Sequence, residues 1–356
     1  MRKYHSLTVA GLQKETTDSV RIALAVPEEV GSEFDFLPGQ HLPVQAVIDG
    51  KPVRRTYSIC SVPGLAPLEI GVRIQPGGQF SEFAASELKV GDQLEVMPPF
   101  GQFHAAVDAA HKKTYLAFAA GSGITPVMSI IRALLEGEPH SKVVLFYGNR
   151  RQQTTMFIDD LYALKNRFPE RLQLYFLFSQ EEQEFEIFSG RLDEKKVALL
   201  VERFCGGLTP DEAFVCGPDT MIASVSAALG DAGMDKSAVH VERYGAPRKK
   251  TAKVRPENVS TEHQATVNVI MDGHKKSFEM PASGRNIVDA AAEQGIELPY
   301  SCKGGVCATC RTHVRDGEVR MATNYGLEPW EVEKGFVLAC QSVPVTDAVT
   351  LDYDKT

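Results

Sequence analysis

The segment Leu68-Glu69-Ile70-Gly71-Val72-Arg73-Ile74 places apolar side chains at every second position, the period of a strand buried on one face. Residues 6–12, 20–26, 41–48 and 93–97 read as further strands, with Gly, Pro and Asp punctuation between them. Short strands at this spacing predict a small antiparallel β-barrel over residues 1–108. The texture then changes. Residues 114–119, 143–147, 172–178 and 213–216 are apolar enough to be buried strands. Between them Val127, Ile130, Ile131, Leu134 and Leu135 recur at helical spacing and stop at Gly137, and Ile222, Val225 and Leu229 repeat the pattern. Strand–helix alternation over residues 109–245 predicts an α/β domain with a parallel sheet covered on both faces.

Residues 246–261 include two prolines, Pro247 and Pro256, and a run of charges with little apolar content, so they read as an exposed tether. Beyond it, residues 265–271 and 277–280 form strands around Asp272-Gly273. A helix is expected over residues 285–294, capped by Ser283 and closed by Gly295. A long cysteine-bearing loop follows. Residues 262–356 thus read as a small α+β domain, and the whole as a multi-domain fold.

Composition narrows the class. In 356 residues, 43% are apolar and 24% charged, close to globular averages, which removes disordered, collagenous and coiled-coil readings. The net charge of −8 is uneven: residues 1–246 carry −7, residues 247–261 carry +4 and residues 262–356 carry −5. An acidic chain with one short basic segment makes a poor nucleic-acid binder. The longest apolar run, residues 115–120, is too short to cross a bilayer, and the basic residues after Met1 lead into no hydrophobic signal core. A cytoplasmic protein without membrane attachment is expected. Seven cysteines, an odd number, argue against a secreted disulfide framework.

Four of those cysteines are grouped. Cys302, Cys307 and Cys310 follow C-x4-C-x2-C, and Cys340 follows after 29 intervening residues. That spacing is the plant-type pattern for a 2Fe–2S cluster, and soft thiolates suit iron cycling between two oxidation states. Gly304 and Gly305 lie where the backbone must curl and aim its amides at sulfur. A structural zinc site or ordinary buried cysteines are the alternatives; zinc sites more often use two close pairs. Residues 262–356 resemble the plant-type ferredoxins, which implies a β-grasp fold.

A second set of motifs runs in order along the first two domains: Pro38-Gly39-Gln40, Arg55-x-Tyr57-Ser58, Gly77-Gly78-x-x-Ser81, Gly121-Ser122-Gly123-Ile124-Thr125-Pro126 and Cys216-Gly217-Pro218-x-x-Met221. An arginine can pair with phosphate and an aromatic can lie on a flat ring. Glycines that end an apolar strand and open a helix let phosphate approach bare backbone. Singly, each fits a turn or core residue as well. Together, residues 1–245 resemble the ferredoxin–NADP reductase superfamily. The resemblance implies Arg55 on a flavin phosphate, Tyr57 against the isoalloxazine, Ser58 near its N5, and Gly78 and Ser81 along the pyrophosphate, with Arg73 grouped among the flavin contacts. It implies Gly121, Gly123, Thr125, Pro126, Gly217, Pro218 and Met221 around the nicotinamide dinucleotide, with Cys216 beside the nicotinamide. Glu242 and Tyr244 match the Glu-x-Tyr that closes plant-type members, although here the chain continues. Catalytic roles thus fall to Ser58, Cys216 and Glu242. Asn149-Arg150-Arg151 follows a strand where an adenosine ribose would lie; guanidinium there, Arg150 above all, suits a 2′-phosphate and favours NADPH over NADH.

Hydride brings two electrons and a 2Fe–2S cluster takes one, so a flavin, FAD rather than FMN by the resemblance, belongs between them. The expected path is NAD(P)H to FAD to cluster to an external acceptor. No Cys-x-His pair of the Rieske type is present, and none of the nine histidines follows a glutamate by three residues, so neither motif for oxidising a substrate occurs. The expected partner is a separate multi-component oxygenase. Domain order and the segment at residues 321–328 resemble the reductase subunits of phenylacetyl-coenzyme A epoxidases, which act in phenylacetate catabolism; similar reductases serve hybrid-cluster proteins and steroid ring hydroxylases. A metal-stabilised binding module without redox activity is the alternative from another class.

Overall fold

A computed structural model of the chain describes residues 3–206, 209–244, 264–282 and 284–355. The chain divides into two compact units, Tyr4–Tyr244 and Gly245–Thr356, the latter grouped with Met1–Lys3. The expected tether at residues 246–261 lies outside the described residues.

The first unit opens with β1 (His5–Thr16), β2 (Ser19–Ala25), β3 (His41–Ile48), β4 (Lys51–Ser58) and β5 (Leu68–Arg73). Helix α1 (Gln79–Ser86) and β6 (Gln93–Val96) follow. All pairings are antiparallel in the order β4-β3-β6-β1-β2-β5. The alternation read at residues 68–74 is real: Leu68, Ile70 and Val72 are buried in the barrel core with Leu7, Val44 and Phe80.

The parallel sheet follows, with β7 (Thr114–Ala120), α2 (Ile124–Gly137), β8 (Lys142–Asn149), α3 (Ile158–Arg167) and β9 (Leu172–Phe178). It continues through α4 (Glu194–Cys205), β10 (Glu212–Cys216), α5 (Asp219–Asp231) and β11 (Val239–Glu242), in strand order β11-β10-β7-β8-β9. Apolar cores lie on both faces, as a parallel sheet requires. Barrel and sheet share one core, since Cys60 and Phe103 pack among α2 and β7 side chains. Charge ties them as well: Asp160 on α3 pairs with Arg21 on β2 and, at 2.6 Å, with Arg132 on α2.

The second unit contains β12 (Gln264–Met271), β13 (His274–Pro281), α6 (Ile287–Glu293), β14 (Arg311–Asp316) and β15 (Val319–Met321). After them come α7 (Pro329–Glu333), β16 (Phe336–Leu338), β17 (Ser342–Pro344) and β18 (Ala348–Asp352). Its mixed sheet runs β13-β12-β18-β14-β16, and β15 pairs with β17. Asp272 and Gly273 both have positive φ, 52° and 72°, the mark of a tight hairpin turn, which lets β13 begin at once and run longer than expected. The helix cap differs from the expectation. The Asn286 side chain accepts from Asp289 N, so α6 starts two residues later than its apolar pattern implies, and Ser283 lies outside the described residues. Strands β14 to β18 are too short, and too interrupted by loop residues, to have shown in the pattern.

Candidate functional site

The carboxyl ends of β7 and β10 meet the barrel at one crevice. Ser58, the last residue of β4, is buried, and its hydroxyl hydrogen-bonds with that of Tyr244 at 3.1 Å. The same phenol hydrogen-bonds with Thr125 Oγ1 at 2.8 Å, and Thr125 donates back to Ser122 O at 3.0 Å. Tyr244 is 47% exposed overall, yet its hydroxyl end is sunk between these partners. Cys216 is wholly buried beside it, and the β10–β11 register sets Cys216 opposite Glu242. Burial, the nearby Glu242 carboxylate adding to it, pushes the Cys216 thiol well up, so it remains protonated. Glu242 Oε1 stands 3.4 Å from Nδ1 of His41 on β3. His41 was not foreseen, because a single histidine in a barrel strand carries no motif.

Two glycines build the crevice by what they lack. A Cβ on Gly123 would lie 2.1 Å from the Cys216 carbonyl oxygen, so the start of α2 can approach β10 only without a side chain. Gly121 has φ +54°, and its carbonyl accepts from the Tyr147 hydroxyl at 2.9 Å. Pro126 sits in the first turn of α2, where a missing N–H costs nothing. Pro218 precedes α5, Met221 lies in its first turn, and the Met221 methyl would be 2.7 Å from a Cβ on Gly217. The two glycine turns thus open side by side at helix N-termini, an arrangement that suits a pyrophosphate.

The expected flavin residues form a neighbouring patch. Arg55 and Tyr57 are two apart on β4 and share a face. Arg55 is exposed and donates to its own neighbour, Arg54 O, at 2.7 Å. The half-buried Tyr57 ring lies 5.3 Å from that of Phe80, which joins it to α1. Ser81 accepts from Gln75 N at 3.1 Å and donates to Gly78 O at 3.0 Å, bracing the turn before α1. Arg73 is held by Asp18 at 2.6 Å, with its guanidinium next to Gly121. Glycine-capped backbone, a cationic side chain and a half-covered aromatic suit a flavin nucleotide.

At the ends of β8 and β9 the loops are laced together, Ser179 N donating to Asn149 O at 3.0 Å and Gln180 N to Arg150 O at 2.9 Å. A cleft of about 500 Å³ opens there, walled by Arg151, Gln152, Gln153, Gln180 and Glu181. Arg150 is exposed and is not part of that wall; Arg151, its neighbour, is. Glu181 accepts from Gln152 N at 2.7 Å. These residues come from two loops, so no contiguous motif announced the cleft.

In the second unit, residues 303–308 bend sharply, with positive φ at Lys303, Gly305 and Ala308. The bend aims amides at sulfur. Gly304 N donates to Cys302 Sγ at 3.3 Å, Cys302 N to Cys307 Sγ at 3.4 Å and Cys340 N to Cys310 Sγ at 3.5 Å. The thiols pair two and two, Cys302 with Cys307 and Cys310 with Cys340. Hydrogen bonds from Cys307 and from loop amides hold Cys302 below its ordinary value, whereas its partner Cys307 is pushed up. Among the described residues no three His, Cys, Asp or Glu side chains converge as a single ion would need. Two thiol pairs fit a two-iron cluster better than one tetrahedral zinc. Outside the loop, Tyr325 N donates to Gly305 O at 2.9 Å, and a Cβ on Gly326 would lie 2.4 Å from Val306 O, so residues 325–326 press on the bend.

Comparison with known proteins agrees with this division. Residues 6–105 match the oxidoreductase FAD-binding domain, residues 118–227 the oxidoreductase NAD-binding domain and residues 269–345 the 2Fe–2S iron–sulfur cluster binding domain. A component of the 1,2-phenylacetyl-CoA epoxidase from Escherichia coli is 43% identical, over 99% of both chains. The chain belongs to this family of three-domain oxygenase reductases. A second relative, the ferredoxin reductase component of 3-ketosteroid-9-alpha-monooxygenase from Rhodococcus rhodochrous, is 33% identical over 98% of this chain and 96% of its own. Phthalate dioxygenase reductase shares the fold at a TM-score of 0.59 and 23% identity, over 98% of each chain. The reductase is therefore an NAD(P)H-dependent flavin and iron–sulfur oxidoreductase that takes FAD, a nicotinamide dinucleotide and a 2Fe–2S cluster. Among its described residues no helix is long and apolar enough to cross a membrane.

Proposed function

We propose that this reductase supplies electrons to a phenylacetyl-coenzyme A epoxidase in the cytoplasm. Similarity along the whole chain to the Escherichia coli epoxidase component is the observation that carries this reading. Bound FAD supplies the conversion from a two-electron hydride to the single electrons a cluster accepts. The chain's own residues arrange that transfer. Residues 1–108 hold the flavin and residues 109–245 the dinucleotide, while residues 262–356 hold the cluster. Arg55, Arg73, Gly78 and Ser81 bind flavin phosphates, and Tyr57 covers the ring. Gly121, Gly123, Thr125, Pro126, Gly217, Pro218 and Met221 seat the dinucleotide between the two glycine turns. Tyr244 closes the crevice. Ser58 and the protonated Cys216 flank the reacting rings, Glu242 is positioned by His41, and the crowded backbone at Gly123 excludes water. Arg151 on the wall of the ribose cleft, with Arg150 exposed beside it, selects NADPH. Cys302, Cys307, Cys310 and Cys340 ligate the cluster.

The test uses the intact FAD- and cluster-loaded chain with NADPH under anaerobic conditions. Flavin absorbance should bleach in parent and Cys307→Ser alike, whereas only the parent should reduce cytochrome c and, once oxygen is admitted, support epoxidation by added epoxidase subunits. Loss of flavin bleaching in Cys307→Ser would overturn the proposed order of transfer. A parent that reduces cytochrome c but never supports epoxidation would overturn the assigned partner.

A further inference from the structure

Two irregular stretches of backbone, 142 residues apart, meet inside the first unit. The register of β1 and β2 skips at Glu15: Lys14 pairs with Val20 and Thr16 with Ser19, so Glu15 is the extra residue of a bulge. A bulge gives up ladder pairing and re-aims a side chain. The second irregularity is Phe157, at the head of α3. Its φ of 59° is left-handed, a conformation a bulky residue keeps only when its surroundings impose it.

The two are joined. Phe157 N donates to Glu15 Oε1 at 2.8 Å, and Glu15 Oε2 accepts from Arg21 Nε at 2.9 Å. The Arg21 guanidinium lies 4.7 Å from the centre of the Phe157 ring and pairs with Asp160 in the first turn of α3. Gly71, opposite Arg21 on β5, leaves room for that ring, since a Cβ there would lie 3.1 Å from it. The Glu15 and Arg21 side chains are 8% and 12% exposed, so solvent screens this clamp little.

What the clamp holds is the far end of the loop that walls the ribose cleft. Arg151 O accepts from the hydroxyls of Thr154 at 3.0 Å and Thr155 at 3.1 Å. The Tyr147 hydroxyl, which donates to Gly121 O, also lies 3.4 Å from Met156 O. Arg151 and the anchored Phe157 therefore belong to one short, internally bonded stretch, tied on one side to the barrel and on the other to a glycine turn.

We propose that Glu15 and Arg21, both on the barrel, are positioning residues for nucleotide specificity: their clamp on Phe157 fixes the loop so that Arg151 meets the ribose 2′-phosphate of NADPH. They act through Arg151 rather than on the nucleotide. A guanidinium–phosphate contact depends on alignment, so a loop released at one end loses NADPH, while NADH, which lacks the phosphate, loses little. The inference rests on the reading of Arg151 as the 2′-phosphate contact.

The experiment is steady-state cytochrome c reduction by the intact FAD- and cluster-loaded chain, with kcat/KM measured for NADPH and for NADH. Glu15→Ala should lower the NADPH-to-NADH ratio roughly fivefold, a part of the roughly tenfold that losing the Arg151 contact costs. Glu15→Gln keeps a neutral acceptor for Phe157 N and should fall between that variant and the parent. In an Arg151→Ala background, Glu15→Ala should leave the ratio where it is, because both act through one contact. Equal loss with the two nucleotides, or an additive effect in the double variant, would overturn the proposal and leave a purely structural clamp. If Glu15→Ala does not fold, Glu15→Gln decides, and a parental ratio there overturns the proposal equally. Arg151→Ala with the parent's ratio would instead overturn the reading of the cleft on which the inference rests.

Discussion

The Tyr244 phenol hydrogen-bonds with Ser58 at 3.1 Å, joining the end of the first unit to a barrel strand 186 residues earlier. Thr125 completes the junction from the first turn of α2. One phenol therefore connects the flavin side of the crevice to its nucleotide side.

Tyr244→Phe keeps the ring and removes the hydrogen bonds to Ser58 and Thr125. At about 1 kcal/mol net for each, flavin bleaching by NADPH should slow by roughly thirtyfold. Tyr244→Ser also removes the ring and should change KM for the nucleotide as well as the rate. Stopped-flow absorbance measures both. Equal damage in the two variants would assign the effect to the hydroxyl and not to the ring.

Nucleotide preference should follow the wall of the cleft at β8 and β9. Arg151→Ala removes a charge-assisted contact to a 2′-phosphate, typically about 1.5–3 kcal/mol, so kcat/KM for NADPH should fall roughly tenfold or more while NADH changes little. Arg150→Ala should do less, because Arg150 is off that wall. Glu181→Gln removes a like charge from the same cleft and should raise the preference for NADPH. Steady-state kinetics with both nucleotides checks all three, and equal loss with NADH would remove the 2′-phosphate from the explanation.

Gly123→Ala would press a methyl against the Cys216 carbonyl, backbone that cannot swing aside. Overpacking of this kind costs about 3 kcal/mol. The variant should unfold earlier and bind nucleotide weakly, as read by thermal unfolding with and without NADPH. Gly121→Ala, where the nearest atom is 3.7 Å away, should suffer mainly from its positive φ and lose less.

How much of this was legible beforehand depended on whether a residue's surroundings come from its own stretch of chain. Residues 41–48 and 172–178 alternate or run apolar so plainly that both strands end where the pattern does. Cys302, Cys307 and Cys310 declare themselves because a cluster needs them within one tight loop. His41 beside Glu242 and Arg151 beside Glu181 are meetings between distant segments, which the order of residues does not encode locally. The helix start was misplaced for a related reason: Ser283 and Asn286 are both good caps by composition, and only backbone geometry chooses Asn286.

The pH dependence of stability should reflect Glu212, where three strands converge. Its carboxylate accepts from Lys113 at 2.6 Å and pairs with His240 at 3.0 Å. Burial alone would raise this carboxyl, but the hydrogen bonds from Lys113 and His240 outweigh it, and its folded value lies below the ordinary one. A depressed carboxyl gives stability that is fully present above the unfolded glutamate value of about 4.3 and lost as pH falls through the lower folded value. Solvent screens the pair, so the contribution is at most about 1 kcal/mol. In a unit of this size that is about 2–4 °C of unfolding temperature. Glu212→Gln should lower the unfolding temperature by that amount at pH 7 and converge with the parent near pH 3. Calorimetry across that range reads the difference, and a gap that persists undiminished in acid would show that Glu212 contributes packing rather than charge.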